Sequence, residues 1–188
     1  DLADNLGIIH RNISEGPIRS VEINCFGTLD QIKPISLSFL RSLLQNRVPE
    51  RVNFINAETI AKELGIELSI NYSTSNSNYS NLISARVIAK NDIIFEGSVF
   101  NDDLPRLVNL MGYKMEVNLK GTLLFIQNDD VPGVVGKVGT ILGKNKINIG
   151  AYLLSQHSKK KLAFAVIRLD SPIDEELISE LSDVEELK

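Results

Sequence analysis

The stretch Asn128-Asp129-Asp130-Val131-Pro132-Gly133 joins an apolar strand-like segment at 122–126 to a helix-like segment, and it decides the fold of the C-terminal part of the chain. Apolar residues then recur with the spacing of one buried helical face, at Val134, Val138, Ile141 and Leu142. We expect Asp130 to cap this helix and Pro132 to occupy its first turn, where a missing N–H costs nothing. The free N–H groups at such a helix N-terminus suit a carboxylate.

A second polar residue, Asn148, follows eighteen positions after Asp130 and opens the next predicted strand. We expect its side-chain amide to lie beside the strand-to-helix junction. A carboxylate acceptor, an amide and free N–H groups together suit a small amino acid. The candidate ligand positions are Asn128, Asp130, Val131, Gly133 and Asn148.

The order of predicted elements around the junction indicates a fold. The strands are expected at 120–127, 147–156, 161–169 and 184–188, and the helices at 133–144 and 173–182. This βαββαβ order is that of the ferredoxin-like split βαβ fold. Together with Asp130-x-Pro132-Gly133 and Ile147-Asn148-Ile149, it makes residues 119–188 resemble an ACT domain, an amino-acid-sensing module of many metabolic enzymes.

Residues 1–118 are predicted to form the other domain of an α+β chain with two α/β sandwich domains. The strands are expected at 18–28, 66–73, 81–90 and 93–100, and the helices after Pro34 and at 56–64, with Gly65 closing the latter. Asn91-Asp92 is predicted to form a hairpin turn, and the polar segment 72–80 a mobile loop. Residues 1–15 are interpreted as the end of a helix that begins in a longer chain, with no cap before Leu2.

Three motifs in this half carry a second resemblance. They are Arg51-Val52-Asn53-Phe54-Ile55-Asn56-Ala57, Ala61-Lys62-Glu63-Leu64-Gly65-Ile66, and Pro105-Arg106-Leu107-Val108-x-x-x-Gly112-Tyr113. They resemble the intervening, allosteric-substrate-binding domain of the long-form D-3-phosphoglycerate dehydrogenases. The resemblance covers almost the whole chain and implies the regulatory C-terminal half of an enzyme that oxidises 3-phosphoglycerate with NAD, the first step of L-serine biosynthesis.

The same resemblance implies ligands and partners. L-serine is expected where two ACT domains meet side by side, at Asp130 and Asn148, while Asn128 stands where relatives often have histidine or tyrosine. A phosphate-bearing anion is expected between the domains at Arg106 and Arg168, with Asn118 in place of a third basic residue. NAD and the catalytic residues are expected outside this chain, which itself is expected to be inert and to hold no cofactor or metal.

Composition excludes several classes of protein. The net charge of −4 argues against a nucleic-acid-binding face, and no apolar run approaches the roughly 18 residues that span a membrane. The single cysteine, Cys25, alternates with Val21 and Ile23 and is predicted to lie in the core of a cytoplasmic protein. His10 and His157 have no acid or nucleophile at a suggestive spacing, and His157 is expected to be solvated.

The glycines at 133, 136, 139 and 143 lack the spacing of either phosphate-binding loop. We expect them to let the helix approach a sheet or another chain closely. Three alternatives to a dehydrogenase regulatory half stay open. They are the regulatory part of an iron–sulfur L-serine dehydratase, a free-standing amino-acid-sensing module, and a structural oligomerisation device with a degenerate pocket.

Overall fold

The computed structural model describes residues 1–28, 31–74, 79–100, 103–157 and 160–188. Two compact units divide between Met111 and Gly112. Each unit combines helices with a sheet, so the predicted two-domain α+β fold is confirmed. The boundary at 118/119 stays a prediction of where the ACT domain begins, since the second unit also includes the strand before it.

The first unit packs helices against one face of a mostly antiparallel sheet. Its elements in chain order are α1 (Leu2–Ile13), β1 (Ser20–Gly27), α2 (Lys33–Leu44), α3 (Ala57–Glu63), β2 (Glu67–Ser73), β3 (Asn81–Ile88), β4 (Asp92–Val99) and β5 (Pro105–Leu110). The strand order is β2-β1-β3-β4-β5, and only the β1–β2 pair among these neighbours is parallel. Strand β1 buries Val21, Ile23 and Cys25, which confirms the predicted core position of the cysteine.

Helices α1 and α2 approach each other closely at Gly7, where a Cβ atom would lie 2.5 Å from the Phe39 carbonyl oxygen. Asp1 is the N-cap of α1, and its carboxylate accepts a hydrogen bond of 2.9 Å from the Asp4 N–H. The expectation that no cap precedes Leu2 is therefore wrong. Asp4 in turn pairs with Arg41 of α2 at 2.6 Å, which fixes the two helices together.

Most of the helix starts, helix ends and turns predicted for this unit agree with the structure. Pro34 lies in the first turn of α2, and Gly65 adopts a left-handed conformation (φ +71°) after α3, both as predicted. The β3–β4 turn ends one residue earlier than expected, because Asp92 already pairs with Ile88 in the ladder. Residues 75–78 of the predicted mobile loop lie outside the described residues.

The second unit has the predicted split βαβ arrangement. Its elements are β6 (Tyr113–Asn118), β7 (Thr122–Asp129), α4 (Val134–Lys144), β8 (Ile149–Gln156), β9 (Leu162–Leu169) and α5 (Glu175–Ser182). The sheet order is β7-β9-β8 with antiparallel neighbours. Helices α4 and α5 share one apolar cluster with this sheet, which includes Ile126, Val138, Leu142, Ala165, Ile167 and Leu177.

The predicted strand at 184–188 is much shorter than expected. It is reduced to one antiparallel bridge between Leu187 and Asn128, flanked by hydrogen bonds of 2.8 Å from the Asp129 N–H to the Glu186 carbonyl and from the Lys188 N–H to the Gln127 carbonyl. Residues 184–187 are used for turns that follow α5, which leaves few for pairing. The chain end still lies beside β7, as the ferredoxin-like order requires.

Candidate functional site in the second unit

The junction between β7 and α4 (residues 128–133) differs from its predicted geometry. Helix α4 begins at Val134, and its N-cap is Gly133 in a left-handed conformation (φ +97°) that supplies no side-chain bond. The predictions that Asp130 is the cap and that Pro132 lies in the first turn are therefore wrong, because the chain turns through 131–133 before the helix starts. Without a side-chain cap, the N–H groups of the first helical turn favour an anionic ligand group.

Asp130 is exposed and is oriented by a residue far along the chain. Its N–H donates to the Lys161 carbonyl at 3.1 Å, and the Gln156 side-chain Nε2 lies 3.0 and 2.9 Å from its two carboxylate oxygens. Within the described residues this carboxylate has no basic partner. Its negative charge is therefore available to a cationic group.

The two neighbouring acids are neutralised. Asp129 lies 3.0 Å from the Lys188 ammonium, and Glu186 pairs with Lys137 of α4. The hydrogen bond from Lys137 lowers the pKa of Glu186 below its ordinary value. Of these three acids, Asp130 is the one without a basic partner within the described residues.

Asn128 lies beneath the junction, with only 3% of its surface exposed. Its neighbour at two residues, Ile126, belongs to the helix-facing cluster, so the Asn128 side chain faces the helices. The side-chain Nδ2 donates to the Asp129 carbonyl at 2.7 Å, while Oδ1 is buried with no hydrogen-bond partner. An unpartnered buried acceptor costs roughly 1–3 kcal/mol, so this atom favours a ligand with an N–H or O–H donor.

Asn148 lies far from the junction in the same chain. Its backbone is held by Asp170, which accepts from the Asn148 N–H at 3.1 Å and donates its own N–H to the Asn148 carbonyl at 3.2 Å. Asn148 precedes β8, whereas Gln156, beside Asp130, ends it. The eight residue steps from Asn148 to Gln156 span roughly 25 Å of extended chain.

The expectation that the Asn148 amide lies beside the junction of its own chain is therefore wrong. The role of Asn148 at an interface between two chains stays a prediction.

The glycines of α4 do not face their own sheet. A Cβ atom added at Gly133, Gly136, Gly139 or Gly143 would meet nothing within 4 Å. The prediction that they let the helix approach a sheet is wrong for this chain, and approach by another chain stays a prediction. Val131, the other apolar candidate position, is exposed.

Strand β8 is one edge of the three-stranded sheet, and β6 of the same unit lies close to it. Within the described residues β8 is bonded only to β9, and its sequence Ile-Gly-Ala-Tyr-Leu-Leu-Ser-Gln contains no charged residue and no proline. Leu154 on this strand and Val135 on α4 are both exposed apolar residues. Edge strands of monomeric proteins usually carry charges, prolines or bulges that prevent pairing. Strand β8 has a register shift between Ile149 and Ala151, but from Ala151 to Gln156 it is regular and uncharged, so this stretch favours a partner strand.

Each arginine of the predicted anion site lies on a strand. Arg106 lies on β5 with its guanidinium carbon 4.5 Å from the Phe100 ring centroid. Arg168 lies on β9 with one terminal nitrogen 3.4 Å from the Gly150 carbonyl oxygen. The two belong to different units, and the phosphate-bearing anion remains a prediction.

The two histidines have structural surroundings. His10 is fully buried and donates from Nε2 to the Ala85 carbonyl at 3.0 Å, and burial lowers its pKa to about 4. His157 is half-buried with its ring 5.2 Å from that of Tyr113, so the expectation of a solvated side chain is wrong.

Within the described part of the chain, no group of three His, Cys, Asp or Glu side chains is arranged to hold a metal ion. None of the helices in the same ranges is long and apolar enough to cross a membrane.

Sequence reasoning missed Gln156. The signal was present in the predicted topology, because β7 and β8 both pair antiparallel with β9 and therefore run in the same direction. The residue that ends β8 and the residues that follow β7 must then lie at the same end of the sheet. A polar residue at that position was a candidate partner of Asp130.

Fold and junction together define a class: a two-domain α+β protein whose C-terminal unit is a ferredoxin-like domain with an open edge strand. The family model described as the D-3-phosphoglycerate dehydrogenase intervening domain matches residues 1–111, and the chain belongs to this family.

Curated relatives agree with the family match. The chain is 30% identical over 189 residues to the D-3-phosphoglycerate dehydrogenase of Bacillus subtilis, an alignment that covers 99% of this chain and 36% of the relative. It is 29% identical to the D-3-phosphoglycerate dehydrogenase of Methanocaldococcus jannaschii, and that alignment covers 100% of this chain and 36% of the relative. It is 28% identical to the D-3-phosphoglycerate dehydrogenase of Mycobacterium leprae, with 92% of this chain and 34% of the relative covered. The chain thus spans about a third of the length of these relatives.

Proposed function

We propose that this chain is the regulatory portion of a D-3-phosphoglycerate dehydrogenase and that it binds L-serine between two copies of its second unit. The family match and the names of the relatives support the parent enzyme. Oxidation of 3-phosphoglycerate with NAD belongs to the part of the protein that corresponds to the unmatched two-thirds of the relatives. The predicted cytoplasmic location is part of the same proposal.

The described residues do not fit a nicotinamide dinucleotide. The sheet of the first unit is mostly antiparallel, and the glycines that follow β7 lack the Gly-x-Gly-x-x-Gly spacing that a dinucleotide pyrophosphate needs. No step of hydride transfer is therefore assigned to this chain. Its role is to bind an effector and to change the arrangement of the subunits when the effector binds.

The observation that carries the proposal is the placement of Asp130 and Asn148 at opposite ends of one unpaired edge strand. A two-fold axis through the middle of β8 pairs two copies of this strand antiparallel. Asn148 of one copy then comes to the end of β8 where Gln156 and Asp130 of the other copy lie. Two equivalent composite sites result.

The chemistry of each composite site matches a small amino acid. Asp130 receives the ammonium group, and the uncapped N–H groups at the start of α4 receive the carboxylate. Asn128 lies beneath the junction, and a rotation of its side chain brings the unpartnered Oδ1 to a donor of the ligand, while the Asn148 amide of the second copy closes the site. The exposed Val131 and the open space around Gly133 leave room for a ligand.

Regulation requires that serine bind one arrangement of the subunits more tightly than another. A coupling free energy of about 1–3 kcal/mol between the serine site and the substrate site changes the affinity for the substrate roughly 5–150-fold. The open edge of β8 is the element through which such a preference acts, because serine contacts both copies there.

The proposal is tested by isothermal titration of L-serine into the purified chain, with D-serine as the stereochemical control. Asp130→Ala and Asn148→Ala are expected to remove high-affinity binding and to leave only a weak residual affinity. Glu63→Ala and Asn91→Ala, which remove an exposed carboxylate and an exposed amide from the first unit, are the matched controls and are expected to bind like the wild type. A folded wild-type dimer that does not bind L-serine overturns serine sensing.

That last outcome favours a second function, a purely structural oligomerisation module. The uncharged stretch of β8 from Ala151 to Gln156 supports self-association without any ligand. In that case the dimer forms, Asp130→Ala and Asn148→Ala leave it unchanged, and no amino acid alters its stability.

A further inference from the structure

We propose that Gln156 is a positioning residue of the effector site, which holds the Asp130 carboxylate toward the edge of β8 for the ammonium group of the ligand. This inference rests on the proposed serine site and adds to it a residue that makes no contact with the ligand in its own right. Its starting point is the pair of short distances from one amide nitrogen to both oxygens of Asp130.

Asp130 needs such support because of where it lies. It is exposed, it follows the last residue of β7, and the helix begins only at Val134, so neither a strand ladder nor a helical turn restrains its side chain. Its N–H bond to the Lys161 carbonyl fixes the backbone but leaves the carboxylate free to rotate. Gln156 supplies the contact that restricts this rotation.

Gln156 itself is well placed for the task. It is the last residue of β8 and pairs with Ala163 of β9, so its backbone belongs to the sheet. The side chain therefore reaches Asp130 from a fixed point at the edge. That edge is where the proposed composite site receives the second copy.

The chemical nature of the amide also matters. A lysine or arginine at 156 would neutralise Asp130, as Lys188 does for Asp129 and Lys137 for Glu186. A neutral amide orients the carboxylate and leaves its charge available. Because both contacts come from one nitrogen, the outer lone pairs of the two carboxylate oxygens stay free for an ammonium donor.

The test is a double-mutant cycle on L-serine affinity with the purified chain. Gln156→Ala is expected to weaken binding by about two- to tenfold, the cost of ordering one side chain on binding. Gln156→Glu is expected to weaken it further, because it places a second carboxylate against Asp130. In an Asp130→Ala background, where a residual affinity is measured at high serine concentration, Gln156→Ala is expected to have no additional effect.

Several controls keep the outcomes distinct. Gln31→Ala removes an exposed amide from the first unit and should bind like the wild type. The dimer fraction of every sample is measured by sedimentation, so that a loss of dimer is not mistaken for a loss of orientation. Wild-type affinity in Gln156→Ala, or an equal loss with and without Asp130, overturns the positioning role while serine sensing stands. No serine binding by the wild type overturns both.

Discussion

Asp130 and Asn148 lie beside opposite ends of strand β8. Asp130 contacts Gln156, the last residue of the strand, and Asn148 immediately precedes its first residue, Ile149. Two groups that are roughly 25 Å apart in one chain cannot hold one small amino acid. They can do so only in a pair of chains whose β8 strands run antiparallel. The distance that excludes a site within one chain therefore favours a shared site.

A shared site predicts complementation between two inactive variants. In a heterodimer of Asp130→Ala and Asn148→Ala chains, one site carries both alanines and the other carries neither. Random exchange of equal amounts of the two chains gives half heterodimers, so about a quarter of all sites should bind L-serine with wild-type affinity. The measurement is serine titration after the two variants have been unfolded together and refolded.

Each variant refolded alone is the control and should show no high-affinity site. If heterodimers form, as shown with two differently tagged chains, and no binding returns, both groups act within one chain or neither acts at all.

The edge of β8 makes a second prediction, on assembly. Leu154→Lys places an ammonium on the exposed apolar edge and should weaken the dimer on the order of tenfold or more, because burying an unpaired charge costs several kcal/mol. Ile178→Lys on α5 is the matched control, since Ile178 is 48% exposed and Leu154 44%. Sedimentation equilibrium compares the two. Equal dissociation constants for both variants and the wild type would place the self-association surface elsewhere.

Much of this fold follows from local patterns in the sequence. The apolar spacing of α4 and the order of strands and helices after 120 both correspond to what the structure contains. Strand β6 buries alternate residues and was still missed, as was β5, where Leu107 and Val108 are buried in succession near a register shift at Glu96 and Gly97. Such a shift depends on the neighbouring strand and leaves no period in the sequence of β5 itself.

The candidate site was harder to predict than the fold. Asp130 and Gly133 are both acceptable N-caps, and the choice between them is decided by the left-handed backbone at Gly133, which a side-chain pattern does not report. The separation of Asp130 from Asn148 is a property of sheet topology and not of their spacing in sequence. Gln156 became visible only when β7 and β8 were known to end at the same side of the sheet.

Close helix packing in the first unit gives a third prediction. Gly7→Ala should destabilise the protein by about 1–3 kcal/mol, because the new Cβ would lie 2.5 Å from the Phe39 carbonyl oxygen and 2.9 Å from the Ser42 Cβ. Gly136→Ala on α4 meets open space and should be neutral or stabilising by up to about 1 kcal/mol through helix propensity. Urea unfolding measures both. Equal effects of the two substitutions would contradict the close approach of α1 and α2.

His10 gives the last prediction, a dependence of stability on pH. Burial lowers its pKa from 6.5 to about 4, the hydrogen bond to Ala85 opposes this shift, and the charge of Arg47 adds to it. Between these two pH values the unfolded chain binds a proton that the folded chain excludes. The contribution of neutral His10 to the free energy of unfolding is therefore fully present above pH 6.5. The free energy of unfolding falls by up to about 3 kcal/mol as the pH drops to 4.

The measurement is urea unfolding at pH 7, 5.5 and 4.5. His10→Phe is the matched variant, because His10 already lies against the rings of Phe39 and Phe95, with centroids 5.6 and 4.4 Å away. This variant loses the bond to Ala85 and should be less stable at pH 7, yet its stability should decline less steeply toward acid. Parallel curves for the two proteins would show that His10 is protonated in the folded state over the same range, which contradicts its burial as a neutral ring.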